Sequence, residues 1–123
     1  MQVLAIAIGG ALGALFRFWM SNGIYGLLGR NFPYGTLAVN VLGSLLMGFL
    51  YVMLVDKLAL GPHWRAALLI GLLGAFTTFS TFSMETLNLV EAGEVFKALL
   101  NVLLSVSLCL VATWLGVLAG RSV

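Results

Sequence analysis

Residues 74–83 read GAFTTFSTFS, a polar and aromatic run inside an otherwise apolar stretch that extends from Ala66 to Leu73 and on to Val90. In hydrocarbon, an unpaired backbone or hydroxyl group costs several kcal/mol. Such a run therefore survives only where it faces protein, an ion or water, and it is the first place to look for function.

The whole chain argues for that hydrocarbon setting. Of its 123 residues 62% are hydrophobic and 8% charged, with a mean hydropathy of +1.13, against about 25% charged residues in soluble domains. This composition predicts an all-α integral membrane protein. Several long apolar stretches follow one another, so the first reads as a retained span and not as a cleaved signal peptide. Arg17, Arg30, Lys57, Arg65, Lys97 and Arg121 are dispersed, which removes the footprint expected of nucleic-acid binding. Cys109 is a single cysteine in an apolar run, so neither an intrachain disulfide nor a zinc site is expected.

A spanning helix needs about 20 apolar residues. Four stretches qualify: Val3 to Leu27, Thr36 to Val55, Arg65 to Val90, and Lys97 to Leu118. The connections carry breakers: Arg30 and Pro33 in the first, Gly61 and Pro62 in the second (Asp56 to Trp64), Gly93 in the third. One four-helix domain over residues 1–123 is expected. Lys57 and Arg121 fall on one side of the membrane and Arg30 on the other; with Arg65 and Lys97 the balance is three to two. That bias fixes no orientation. Insertion both ways, with an antiparallel homodimer, fits it, and so do misplaced span edges.

Gly9 and Gly13, and Gly116 and Gly120, stand at GxxxG spacing, which suits close helix packing. Thr36, Asn40 and Ser44 share one face of the second span; Asn101, Ser105, Cys109 and Thr113 share one face of the fourth. Either stripe reads as interhelical glue or as the lining of a path. On an unbroken third helix, Phe76, Phe79 and Phe82 form one arc, and Thr77, Thr78, Thr81, Glu85 and Asn88 another. Glu85 is a functional candidate at membrane depth or a solvated carboxylate at the interface. Thr77 and Thr78 follow Gly74, and their hydroxyls compete for backbone partners, which predicts a break and freed carbonyls suited to a hard cation such as sodium. Arg17 reads as a snorkelling residue, a structural anchor or an ion contact.

GGALGALFRF at Gly9 to Phe18, GTLAVNVLGS at Gly35 to Ser44 and GLLGAFTTFSTFS at Gly71 to Ser83 give the chain its resemblance to the small bacterial Fluc (CrcB-type) fluoride channels, over essentially its full length. The resemblance implies four transmembrane helices with a break in the third, and an antiparallel, dual-topology homodimer in the bacterial inner membrane. It further implies two fluoride pores and a central structural sodium ion. Phe79 and Phe82 would be the pore phenylalanines and Asn40 the pore amide. The carbonyls of Gly74 and Thr77 would bind sodium, with a symmetry mate supplying the other pair. Thr36, Ser80, Thr81, Glu85 and Ser105 would belong to a polar track, and Arg17 would be the basic residue of the first helix. Asn101 departs from the family pattern, in which many relatives carry tyrosine there.

Passive passage of fluoride out of the cell needs no covalent step, so no enzyme is expected. Three rivals differ in what they require. A fluoride/proton exchanger would use Glu85 as its proton carrier. A small multidrug transporter needs a carboxylate deep in its chamber, typically in the first span, where Arg17 stands without Asp or Glu. A noncatalytic scaffold would use every polar stripe as glue.

Overall fold

The computed structural model describes residues 1–58 and 60–123. Ala59, inside the expected second connection, lies outside the described residues. The four expected spans are present as Gln2–Leu28, Tyr34–Lys57, Pro62–Glu91 and Val95–Ser122, each long and apolar enough to cross a membrane. All the regular structure is helical. The chain is a multi-pass membrane protein.

The first span is a single helix, α1 (Gln2–Leu28). The second is α2 (Tyr34–Tyr51), wound on as a π-type helix over Val52–Lys57. The third has four pieces: a single turn α3 (Pro62–Arg65), a π-type segment Ala66–Leu73, a single turn α4 (Gly74–Phe76) and α5 (Phe79–Glu91). The last is α6 (Val95–Ser122). Ends lie a few residues outside the expected ones for local reasons. Pro62 opens the third span because its missing N–H is one that a first helical turn leaves unpaired anyway. Gly29 (φ 85°) and Gly93 (φ 81°) take the left-handed backbone of the first and third connections, which glycine adopts without strain.

Each end of the bundle is tied across its connections. Lys57 Nζ donates to the Arg121 and Val123 carbonyl oxygens at 2.9 and 2.6 Å. At the other end Lys97 Nζ donates to the Asn31 carbonyl at 3.3 Å. The alternation expected of four spans follows.

Small residues set the packing. α2 lies most extensively on α6, and α1 on the Ala66–Leu73 segment. A Cβ at Gly48 would overlap the Thr113 carbonyl oxygen, and one at Gly116 the Leu45 carbonyl oxygen. Gly9 and Gly13 meet the Ala67 and Leu72 carbonyl oxygens in the same way, so all four sit where only glycine lets the backbones touch. The packing reading of the GxxxG pairs is what the fold shows.

At the middle of the third span, Thr77 (φ −88°, ψ 158°) and Thr78 (φ −150°, ψ 122°) are extended, so the helix is broken where the threonine pair predicted it. The break moves the span from one neighbour to another: before it the chain packs on α1, after it on α6. Gly43 makes room for the turn-off, because a Cβ there would overlap Thr77 Cγ2 and press on the Phe76 ring at 3.2 Å.

Gly48→Ala should therefore lower thermal stability in detergent by about 1–3 kcal/mol, the usual cost of overpacking. Gly23→Ala, whose Cβ meets nothing within 4 Å, should leave the melting temperature unchanged.

Candidate functional site

Two extended residues advance the chain without the 100° turn per residue of a helix. The two arcs drawn on an unbroken third helix are corrected accordingly. Phe76 is buried on the far side, beside Phe16, Trp19, Leu42 and Leu46. Phe79 and Phe82 remain together past the break, ring centroids 5.3 Å apart and tilted by 46°. Phe82 is 9% exposed and Phe79 78% exposed on the single chain. The threonine arc is likewise divided. Thr77 turns its hydroxyl back to the Leu73 carbonyl at 3.0 Å. Thr78 caps α5, accepting from the Thr81 N–H at 3.2 Å and donating to Thr81 Oγ1 at 3.0 Å.

Breaking a helix at mid-membrane strands backbone groups that lipid cannot satisfy. Side chains from two other spans take up some of them. Asn40 Nδ2 donates to the Thr78 carbonyl at 3.0 Å, and Asn40 Oδ1 accepts from the Thr78 N–H at 2.8 Å. The second N–H of that amide is left over. Arg17 Nε donates to the Ala75 carbonyl at 3.0 Å. Of the three readings of Arg17, the structure shows the anchor. The Gly74, Phe76 and Thr77 carbonyls lose their helical donors without gaining these replacements. The Thr78 N–H that would serve Gly74 goes to Asn40, and the Thr81 N–H that would serve Thr77 goes to the Thr78 hydroxyl. Gly74 lies on the outer surface of the chain.

Two residues of the α2 stripe and three of the α6 stripe line one open groove of about 320 Å³. Asn40 and Ser44 line it from α2, and Ser105, Cys109 and Thr113 from α6. Thr77, Thr78, Phe79 and Phe82 form the third wall. Behind it, Asn101 is 1% exposed; its Nδ2 donates to Thr86 Oγ1 at 2.9 Å and its Oδ1 accepts from Ser105 Oγ at 3.3 Å. Thr86 in turn donates to the Phe82 carbonyl at 2.7 Å, so this chain of bonds braces the phenylalanine wall.

The remaining expected residues lie elsewhere. Ser80 is exposed, 3.4 Å from the Thr78 hydroxyl. Thr36 and Glu85 meet around Tyr25: the Tyr25 hydroxyl donates to Glu85 Oε2 at 2.7 Å and lies 3.3 Å from Thr36 Oγ1. Arg30 stacks on the Tyr25 ring, its guanidinium carbon 4.4 Å from the centroid. Sequence reasoning missed Tyr25 and Thr86. The spacing of Thr86 gives no signal for its role; Tyr25, a polar tip at the end of an apolar helix, does resemble an ordinary interfacial tyrosine.

Asn40→Asp keeps an acceptor for the Thr78 N–H but sets an oxygen against the Thr78 carbonyl. Losing one such bond at a buried backbone group costs about 1–3 kcal/mol. Hydrogen exchange in a peptide covering residues 74–83 should accelerate in this variant by roughly tenfold or more.

The model of the family described as CrcB-like protein, Camphor Resistance (CrcB), matches residues 4–117. A protein of Methylococcus capsulatus named fluoride-specific ion channel FluC is 62% identical over 121 residues, 98% of this chain and 53% of that protein. Proteins of the same name from Coxiella burnetii and Magnetococcus marinus are 54% and 51% identical, over 98% of this chain and 98% of each of those proteins. The chain thus spans about half the length of the Methylococcus relative and nearly all of the other two.

Proposed function

The chain belongs to the CrcB-like family, and on that premise we propose that it is a passive, fluoride-selective channel that lets fluoride leave the cytoplasm across the bacterial inner membrane. The observation that carries this reading is the groove, in which hydroxyls and one amide N–H stand beside a tilted phenylalanine pair. Fluoride is small, strongly hydrated and a strong hydrogen-bond acceptor. A path for it must replace water with donors, and the spare Asn40 N–H and the hydroxyls of Ser44 and Thr113 are donors, whereas the Ser105 proton goes to Asn101. The edge of a phenyl ring is electropositive. Phe79 and Phe82 turned edge-on contact the ion without trapping it, and weak binding at successive stations is what permits exit. Thr36, Ser80, Thr81 and Glu85, which lie off the groove, extend the path toward one membrane face in this reading. The reaction involves no bond making, and the protein is not an enzyme.

The working unit we propose is an antiparallel, dual-topology homodimer with two pores. Its support is physical: the Gly74 and Thr77 carbonyls at mid-membrane have lost their helical donors, and lipid cannot supply others. A second copy covering this face removes the conflict. Carbonyl oxygens suit sodium, and these two, with the same pair from the partner, would hold a structural Na⁺ at the dimer centre. Bound there, the ion would supply positive charge to four carbonyl dipoles and fix the breaks against each other.

Liposomes holding only the purified protein, with a potassium gradient and valinomycin, should release fluoride in response to voltage and release little chloride. Phe79→Ile should slow fluoride about fivefold, the scale of about 1 kcal/mol for an oriented aromatic contact. Fluoride movement tied to opposing proton flux would indicate an exchanger, and silence from folded dimer a scaffold.

A further inference from the structure

Three spans meet at one phenol. Tyr25 on α1 carries a single hydroxyl proton, and that proton goes to Glu85 Oε2 on α5 at 2.7 Å. At the 3.3 Å contact with Thr36 on α2, the Tyr25 oxygen must then accept and Thr36 must donate. The bonds run in one sense, from Thr36 to Tyr25 to Glu85. Thr36 is 4% exposed and Tyr25 9% exposed, so neither hydroxyl has ready access to bulk water as an alternative partner. Glu85 Oε1 is buried with no hydrogen-bond partner among the described residues. Beside it lies a cavity of about 280 Å³ lined by Tyr25, Arg30, Pro33, Glu85, Asn88 and Leu89. The Arg30 guanidinium over the Tyr25 ring fixes the phenol from the first connection.

We propose that Tyr25 is a positioning residue of the conduction path, whose hydroxyl pins the Glu85 carboxyl through Oε2 and so holds it in one fixed orientation beside the passing ion. The inference rests on the channel reading. Its physical content is a restriction of freedom. An untied Glu85 can swing a carboxylate toward an anion's path, where like charge raises the barrier. Tyr25 does not line the groove, so it acts through its bond to Glu85.

The test is Tyr25→Phe in the full chain, which keeps the ring under Arg30 and removes only the hydroxyl. In liposomes its fluoride efflux should fall about threefold to tenfold, the scale of one hydrogen bond. In infrared spectra the Glu85 carboxyl band, identified by its loss in Glu85→Gln, should move when the Tyr25 donor is removed. The Tyr25→Phe/Glu85→Gln double variant should be no slower than the slower single variant, because both act at one bond. Wild-type efflux in Tyr25→Phe, an unmoved Glu85 band, or losses that multiply in the double variant would overturn the positioning role. If Tyr25→Phe fails to fold, 3,5-difluorotyrosine introduced at position 25 is a stronger donor of the same shape. It should move the Glu85 band in wild-type surroundings, and no movement overturns the proposal. Wild-type protein that passes no fluoride overturns the channel reading instead, a failure separate from that of the Glu85 band.

Discussion

Backbone that leaves the helix inside a membrane must find its hydrogen bonds within the protein. The extended pair Thr77 and Thr78 creates that demand at the middle of the third span, and much of the remaining structure is a response to it. Asn40 supplies both a donor and an acceptor from α2, Arg17 supplies a donor from α1, and Thr78 caps the helix that restarts. Each of these residues would be costly alone in lipid. An arginine at depth needs an acceptor and a stranded carbonyl needs a donor, so the two liabilities cancel at Ala75.

The fold around the break divides into a fixed part and a fitted part. α2 and α6 meet through glycines whose missing side chains let backbone touch backbone, leaving little room for relative movement. The third span is held differently: it passes from α1 to α6 at the break and is located by side-chain hydrogen bonds. The groove lies between the two parts. Asn40, Ser44, Ser105 and Thr113 thus come from the rigid pair, whereas the wall with Thr77, Thr78 and the phenylalanines depends on where α5 restarts and on the Asn101–Thr86 brace behind Phe82. In the proposed channel, the donors are set by packing and the phenylalanines by hydrogen bonding.

Much of this was legible in the sequence because the physics involved is local. Apolar runs of sufficient length mark the spans, Pro33, Pro62 and Gly93 mark the connections between them, and two adjacent threonines after Gly74 mark the break. The stripes on the second and fourth spans also held, since α2 over Thr36 to Ser44 and all of α6 are regular helix and the 100° rule applies to them. The third-span arcs failed because the same rule was carried across two residues that are not helical. The π-type winding of Val52–Lys57 and Ala66–Leu73 has no signature in residue type. Partners across long separations were out of reach: nothing in the chain states that Arg17 will meet Ala75 or that Tyr25 will meet Glu85, 58 and 60 positions away.

The paired bonds between Asn40 and Thr78 are those of a single rung of β-sheet, with a side-chain amide standing in for the second strand. A membrane helix here carries one peptide-like unit projected sideways on one methylene. That geometry leaves position 40 without a synonym in the genetic alphabet. Glutamine bears the same amide one carbon too far out, the acids lack the donor, and serine and threonine offer one atom where two are needed. Sequence drift along this chain can therefore trade one hydroxyl for another around the groove, but at this position it has nowhere to go.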